Sequence, residues 1–416
     1  MNKIIFELNE FNNDLLIEAS RTRANIRHLV AMHKTDALIP DTYESDYLEP
    51  WSQWVSIHTG VPCTTHKIKH LGDIGLCKYK EAWNIHHDKF GIIWGCLNSN
   101  PPENNNTVYF PDPWTSSSNT NLRRLRNLQK FLRTAVSDRG DNFLSKSINI
   151  LYFVLTALMA LPKIMINSDL SLLKILISSP KRAVINPSSI YSILEYVSFN
   201  IFLNEAKKIK RKGNHTDIFF SNMLAHCQHY YWGTEHHSNI ELVFDLLNKM
   251  LEKMFNFYND VVVLNGLTQE YSANIESWNS YYPKKGWKKF INLYISPNAS
   301  VLPCMSYDTI LEFKNVSELE SAKKILDDAY IEIGSVKHQI FLTELYEDSN
   351  IRLFVRFKYY SDKKGKAYIN SDFYEFDSVF VKLATRTARH IPLCNIYTNI
   401  DVEDIEYNWD IFKLYA

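Results

Sequence analysis

Four short apolar runs in this chain each stop abruptly in a polar cluster, and this repeated pattern constrains the fold more than any other feature. Ile4-Ile5-Phe6-Glu7-Leu8 breaks into Asn9-Glu10-Phe11-Asn12, and Gly91-Ile92-Ile93-Trp94-Gly95-Cys96-Leu97 breaks into Asn98-Ser99-Asn100. Asp217-Ile218-Phe219-Phe220 is followed by Ser221-Asn222, and Val261-Val262-Val263-Leu264 by Asn265-Gly266. Runs this short, rich in β-branched and aromatic residues, read as buried strands, and the helix-like stretches between them read as crossovers. Strands alternating with helices build a largely parallel sheet covered by helices. Ligands collect beyond the carboxyl ends of such strands, so the polar residues just past each run are the candidate functional residues.

With 416 residues and 45% hydrophobic content, the chain can bury a core larger than one small domain. Lys plus Arg and Asp plus Glu number 46 each, so no global field draws in nucleic acid, and no nucleic-acid partner is expected. The six cysteines lie scattered without CxxC spacing. That favours buried free thiols in a reducing compartment over a disulfide framework. A core strand begins at the N-terminus with no signal-peptide pattern, and the expected location is cytoplasmic.

Glu49-Pro50-Trp51-Ser52-Gln53-Trp54 leads into Val55-Ser56-Ile57-His58-Thr59-Gly60, which reads as a helix with Pro in its first turn and a glycine C-cap. Farther on, Leu122–Arg133 places basic residues among apolar ones at helical spacing, and Ile148–Ile166 is a long apolar stretch interrupted by Pro162 and Lys163. The uninterrupted part is too short to span a bilayer. Two readings stand for residues 121–166: helices packed in a solvated cap, or peripheral membrane contact at the inner face. Beyond Tyr307 the chain changes to mixed α+β character, with a helix over Val316–Ala329. A hairpin of Ile351–Tyr360 with Lys366–Asn370 and a strand over Val379–Leu383 follow.

Order and spacing make these segments resemble the type I phosphodiesterase and nucleotide pyrophosphatase branch of the alkaline phosphatase superfamily. The family's opening Leu-Asp-Gly becomes Leu8-Asn9-Glu10. Its nucleophile turn becomes Pro50-Trp51-Ser52-Gln53-Trp54 running up to Thr59-Gly60-Val61-Pro62 with His66, and its Trp-Asp segment becomes Trp83-Asn84. The resemblance implies a three-layer α/β/α fold with a largely parallel central sheet and a mixed α+β C-terminal region. The core would comprise 1–115 and 211–416, with a helical cap insertion over 116–210.

The same resemblance implies two divalent ions, and here the matching letters are largely changed. One set reads Asn9, Pro50 and Asn265-Gly266 or Gly266-Leu267, which lacks the carboxylates and imidazoles a tight cation site needs. The other reads Asn222-x-x-x-His226 with His390, so two imidazoles remain. The cofactor expectation is therefore none, or a single divalent ion (zinc, manganese or magnesium) at Asn222, His226 and His390. Pro50 stands where the family has its Thr nucleophile. Ser52 is two residues away, either a displaced nucleophile or a helix N-cap.

Chemistry without a metal is also open. Glu7, Glu10 and Glu49 fall at the expected carboxyl edge, and with His226, His229 or His390 as a second proton carrier they form an acid–base set for glycosidic work. Asn9, Trp51, Gln53, Asn265 and Gln269 complete the candidate substrate contacts. The first reading is a hydrolase or transferase acting on a phosphorylated or sugar-containing small molecule or glycan, in a surface-polysaccharide context that only the resemblance implies. A metal-independent glycan-active enzyme and a non-catalytic glycan- or nucleotide-binding protein are the alternatives.

Overall fold

A computed structural model describes residues 2–42, 47–115, 118–137, 158–167, 187–209, 215–235, 237–272, 278–302, 307–346, 351–402 and 404–415. Two compact units emerge: Met1–Leu132 with Thr156–Ala273 and Thr387–Ala416, and Arg133–Leu155 with Asn274–Arg386. Much of the expected cap, 138–157 and 168–186, lies outside the described residues, including 148–157 of the long apolar stretch.

A seven-stranded sheet organises the first unit. Strands β1 (Asn2–Leu8), β2 (His33–Leu38), β3 (Phe90–Trp94), β4 (Val108–Phe110), β5 (His215–Ser221) and β6 (Asp260–Leu264) are joined by the strand Leu393–Thr398. Their spatial order is β2, Leu393–Thr398, β6, β1, β5, β3, β4. The expected α/β architecture with a largely parallel sheet is present: only Leu393–Thr398 runs antiparallel, to both β2 and β6. β1 is central and buried, its apolar side chains joining a core with Phe199, Phe202, Phe219, Leu247 and Met250. A strand covered on both faces needs a continuous apolar run, and Ile4-Ile5-Phe6 supplies one.

Register aligns the strand ends. Leu8 pairs with Ser221, and Glu7 with both Phe220 and Leu264, so Asn9, Asn222 and Asn265 emerge side by side at the carboxyl edge. Because Leu393–Thr398 runs antiparallel, the chain enters it from that same edge. The preceding strand Ala388–Ile391 pairs with β7 (Thr268–Tyr271), setting His390 opposite Gln269.

Local signals explain the helices nearby. Helix α1 (Asn13–Ser20) starts where the Asn12 side chain accepts from the Asp14 and Leu15 amides. After α2 (Ala24–Val30), α3 (Pro50–Thr59) has Pro at its first position and ends on Gly60 at φ 71°, the left-handed conformation that glycine reaches without strain. Every residue of α3 is buried. Its N-cap is Glu49, whereas Ser52 lies one turn inside the helix, so Ser52 is not the N-cap. Asp112 shapes the turn after β4, accepting from the amides of Trp114 and Thr115 at 2.8 and 2.9 Å. Among the described cysteines, Cys63, Cys77, Cys96, Cys227 and Cys394 are free thiols.

The second unit holds two four-stranded antiparallel sheets and an antiparallel pair, with the helices Gly286–Tyr294 and Val316–Asp327. One correction falls here. Arg352–Phe357 pairs with Thr309–Glu312 and Phe341–Leu345, and does not form a hairpin with Lys366–Ile369. Lys366–Ile369 instead turns through Asn370-Ser371 into Asp372–Glu375. Both turn residues have positive φ, 50° and 72°, the mirror-image turn whose twist matches a two-residue hairpin.

Candidate functional site

Three chain segments bring Glu10, His229 and His390 together at the carboxyl edge of the first unit. Glu10 follows β1 with φ 58°, a left-handed conformation disfavoured for a side chain with a Cβ. The helix Met223–Tyr231 carries His229, and His390 comes from the strand paired with β7. Glu10 Oε2 lies 3.1 Å from His229 Nε2 and 3.2 Å from His390 Nε2, and the two nitrogens are 3.3 Å apart.

The hydrogen bonds on the far side of each ring determine what faces inward. His390 Nδ1 lies 3.1 Å from the Leu48 carbonyl oxygen, and His229 Nδ1 lies 3.4 Å from that of Ala388. A carbonyl oxygen can only accept, so each Nδ1 carries a hydrogen and each ring turns its Nε2 towards Glu10. A carboxylate oxygen and two ring nitrogens at such separations need positive charge among them, carried by protons on the rings or by a bound cation. Burial alone would raise the Glu10 carboxyl pKa, but His390 and His229 beside it hold it well below the usual carboxylate range.

The three atoms fit a divalent ion. Ligands about 2.0–2.1 Å from tetrahedral zinc stand roughly 3.3–3.4 Å apart, close to the edges of this triangle. Carbonyl partners on both Nδ1 atoms are the outer shell that fixes a ligating histidine's tautomer and orientation.

A wider net holds Glu10. Asn9 Nδ2 donates to Glu10 Oε1 at 2.9 Å and to Asn222 Oδ1 at 2.7 Å, while Trp54 Nε1 donates to Asn9 Oδ1 at 2.8 Å. Gln269 Nε2 donates to Glu10 Oε2, and Gln228 Nε2 donates to the Glu10 carbonyl at 2.7 Å. Glu49 Oε2 sits 3.7 Å from His390 Nδ1 with 20% of its side chain exposed, the most open of the acids here.

Other sequence candidates fall elsewhere. Of Asn222, His226 and His390, only His390 belongs to the three-ligand group: Asn222 accepts from Asn9, and the His226 ring packs against Tyr191 and Tyr230. Ser52 is fully buried, with an Oγ that has no hydrogen-bond partner among the described residues. Trp51 and Trp54 are 8% and 0% exposed, so both indoles pack inside the protein. Gln53 is spanned by Asp41, Tyr47 and Asn408, and Asn265 by Phe11, Thr268 and Asn395.

Glu7 lies in the core. Its Oε1 accepts from His58 Nε2 at 2.9 Å and from the Tyr415 hydroxyl at 2.6 Å, with Cys96 completing a second group of ligand-type atoms. Burial and the Glu7 carboxylate push the Cys96 thiol well up, which opposes a thiolate ligand role.

Gly266, itself one of the expected ligand positions, is fixed by close approach. A Cβ there would come within 2.7 Å of the Trp54 ring. Gly266→Ala is expected to displace Trp54 from Asn9 and cost about 1–3 kcal/mol, the range for overpacking a filled core. Urea unfolding checks this, and an unchanged midpoint would refute the close-packing argument.

One acid escaped the sequence reading. Glu195, on the helix Pro187–Lys208, accepts from the Ser221 hydroxyl and from the Asn222 amide at 2.9 Å. Its only sequence signal is a lone carboxylate within an apolar stretch, Ile190–Phe202. Burial pushes its pKa up from 4.5 to about 7, against these hydrogen bonds. The folded state therefore holds a proton that the unfolded chain releases, so stability falls as pH rises through that interval. Glu195→Gln should flatten this decline; urea midpoints that track wild type on both sides of the interval would exclude Glu195 as its source.

No protein-family model and no curated protein matches this chain. Solved structures similar to it include phosphonoacetate hydrolase from Sinorhizobium meliloti 1021 in complex with phosphonoformate, and the same enzyme in complex with phosphonoacetate. Each shows 11% identity and a TM-score of 0.43, covering 100% of this chain and 95% of the other. A likeness this distant carries no inference about ligand or chemistry.

Proposed function

We propose that this protein is a metal-assisted hydrolase of phosphorylated substrates, with one divalent ion held by Glu10, His229 and His390. The observation that carries the reading is the convergence of two Nε2 atoms on a buried carboxylate, with both Nδ1 atoms directed at carbonyls. A divalent ion bound there supplies Lewis-acid polarisation of a phosphoryl oxygen. Support for one ion over two comes from Asn9 and Asn265, whose side chains are committed to internal hydrogen bonds. Zinc suits the two imidazoles best.

The protein's own groups have separable roles. Asn9 and Gln269 hold both oxygens of Glu10, and the Leu48 and Ala388 carbonyls hold the rings. Pro50 offers no nucleophile, so water attacks phosphorus directly as the bond to the leaving oxygen breaks. Glu49, 3.7 Å from His390 Nδ1 on the ring edge turned away from Glu10, helps hold that ring, and the proton released by the water passes to solvent while the leaving oxygen takes one from it.

Elemental analysis of the purified full chain, with assays on phosphomonoesters and phosphodiesters, tests the proposal. One equivalent of ion is expected, with activity lost to chelator and restored by readdition. Metal-free protein with full activity would overturn it.

A further inference from the structure

The helical segment 158–167 is apolar on both faces. Ala160, 1% exposed, and Ile164 pack into the core, while Leu158, Met159, Leu161, Met165 and Ile166 face outward at 58, 56, 43, 65 and 79% exposure. A surface helix ordinarily shows solvent a polar face, and a helix apolar all round is ordinarily buried. Here the single charged side chain, Lys163, reaches in to Glu205 Oε1 at 2.9 Å.

Glu205 ties this apolar strip to a basic one. Its fully buried carboxylate also receives Lys208 at 3.1 Å and the Arg124 guanidinium, whose Nε lies 3.1 Å away. Burial would raise the Glu205 pKa, yet Arg124, Lys163 and Lys208 hold it at about 2, so this clamp stays charged. Arg124 thereby fixes the segment carrying exposed Arg123, Arg126 and Lys130 beside the apolar helix. Neither 118–132 nor 158–167 contains an acidic residue. Among the described residues no helix is long and apolar enough to cross a membrane.

We propose that this face seats on an anionic lipid surface, with Leu158, Met159, Leu161, Met165 and Ile166 entering the interface and Arg123, Arg126 and Lys130 meeting lipid phosphates and carboxylates. Apolar insertion combined with adjacent cations is the two-part signal that interfacial binding requires, and the cations select lipid over an uncharged apolar partner. The inference is independent of the reading of the metal site.

Co-sedimentation of the full chain with phosphatidylcholine vesicles, with and without phosphatidylserine, tests it. Binding should require phosphatidylserine, weaken in high salt, and fall at least about tenfold in a Met165→Asp, Ile166→Asp variant with an unchanged melting curve. An Arg123→Gln, Arg126→Gln, Lys130→Gln variant should lose the phosphatidylserine dependence. Failure to pellet, pelleting indifferent to phosphatidylserine, or unchanged binding by the aspartate variant would overturn the proposal. So would self-association, without lipid binding, that the aspartate substitutions abolish, since the face would then join two copies of the chain.

Discussion

A His229→Ala, His390→Ala protein is expected to purify without the divalent ion and to lose at least about three decades of kcat/KM on a phosphoester. Lewis-acid stabilisation supplies several kcal/mol in the transition state, and each 1.36 kcal/mol is tenfold in rate. Neither histidine is central to the core: His229 is partly exposed and His390 sits at a sheet edge, so the variant should keep its fold. Glu10→Gln is the sharper companion. It keeps the shape and an acceptor oxygen but removes the charge that a divalent ion meets, and ion affinity should fall with activity. Stoichiometric metal in the double variant, or a Glu10→Gln enzyme with wild-type affinity and rate, would refute the assignment. Gln228→Ala, which removes the anchor on the Glu10 carbonyl together with the acceptor for the Asn12 amide, should weaken the ion by a smaller factor, about ten- to a hundredfold for an outer-shell contact.

Glu7→Ala should be the most destabilising of the substitutions considered, by about 2–6 kcal/mol, since two buried donors lose their acceptor at about 1–3 kcal/mol each. Its carboxylate is 0% exposed, and removal strands His58 Nε2 and the Tyr415 hydroxyl. His58 has no other outlet, because its Nδ1 is already without a partner among the described residues and its ring is enclosed by Trp54, Trp83 and Tyr415. Replacing both partners with leucine should recover much of the loss, since apolar groups of similar volume need no hydrogen bonds. Equilibrium urea unfolding measures each step. A Glu7→Ala protein within 1 kcal/mol of wild type would mean that the pair is not a structural element.

Part of the candidate site could be read from the sequence because strand ends are marked by abrupt polarity changes. Asn9, Glu10, Asn222, Asn265 and Gln269 were all found in this way, and all lie at the carboxyl edge. Which side chains meet was not legible. Glu7 and Glu10 are neighbours in the sequence cluster, yet the alternation of a strand sends Glu7 into the core, and only the left-handed turn at Glu10 brings that acid to the histidines. His226 and His229 are one helical turn apart, and only tertiary contacts separate them: the His226 ring packs on Tyr191, while His229 meets Glu10 and the Ala388 carbonyl. Trp51 and Gln53 read as substrate contacts beside a proline, but α3 is buried along its whole length. In the second unit the hairpin was misplaced because Asn370-Ser371 is a weaker turn signal than the glycine-ended cluster Ser361–Gly365.

The ladder between β7 and Ala388–Ile391 has one further implication. Tyr271 faces Ala388, and the Ser272 amide donates to the Thr387 carbonyl at 2.9 Å, so the chain leaves and re-enters the first unit on adjacent rungs. Gln269 and His390 owe their opposition to this ladder, so a slip of one residue between its two strands would turn one of the pair to the opposite face and dissolve the site.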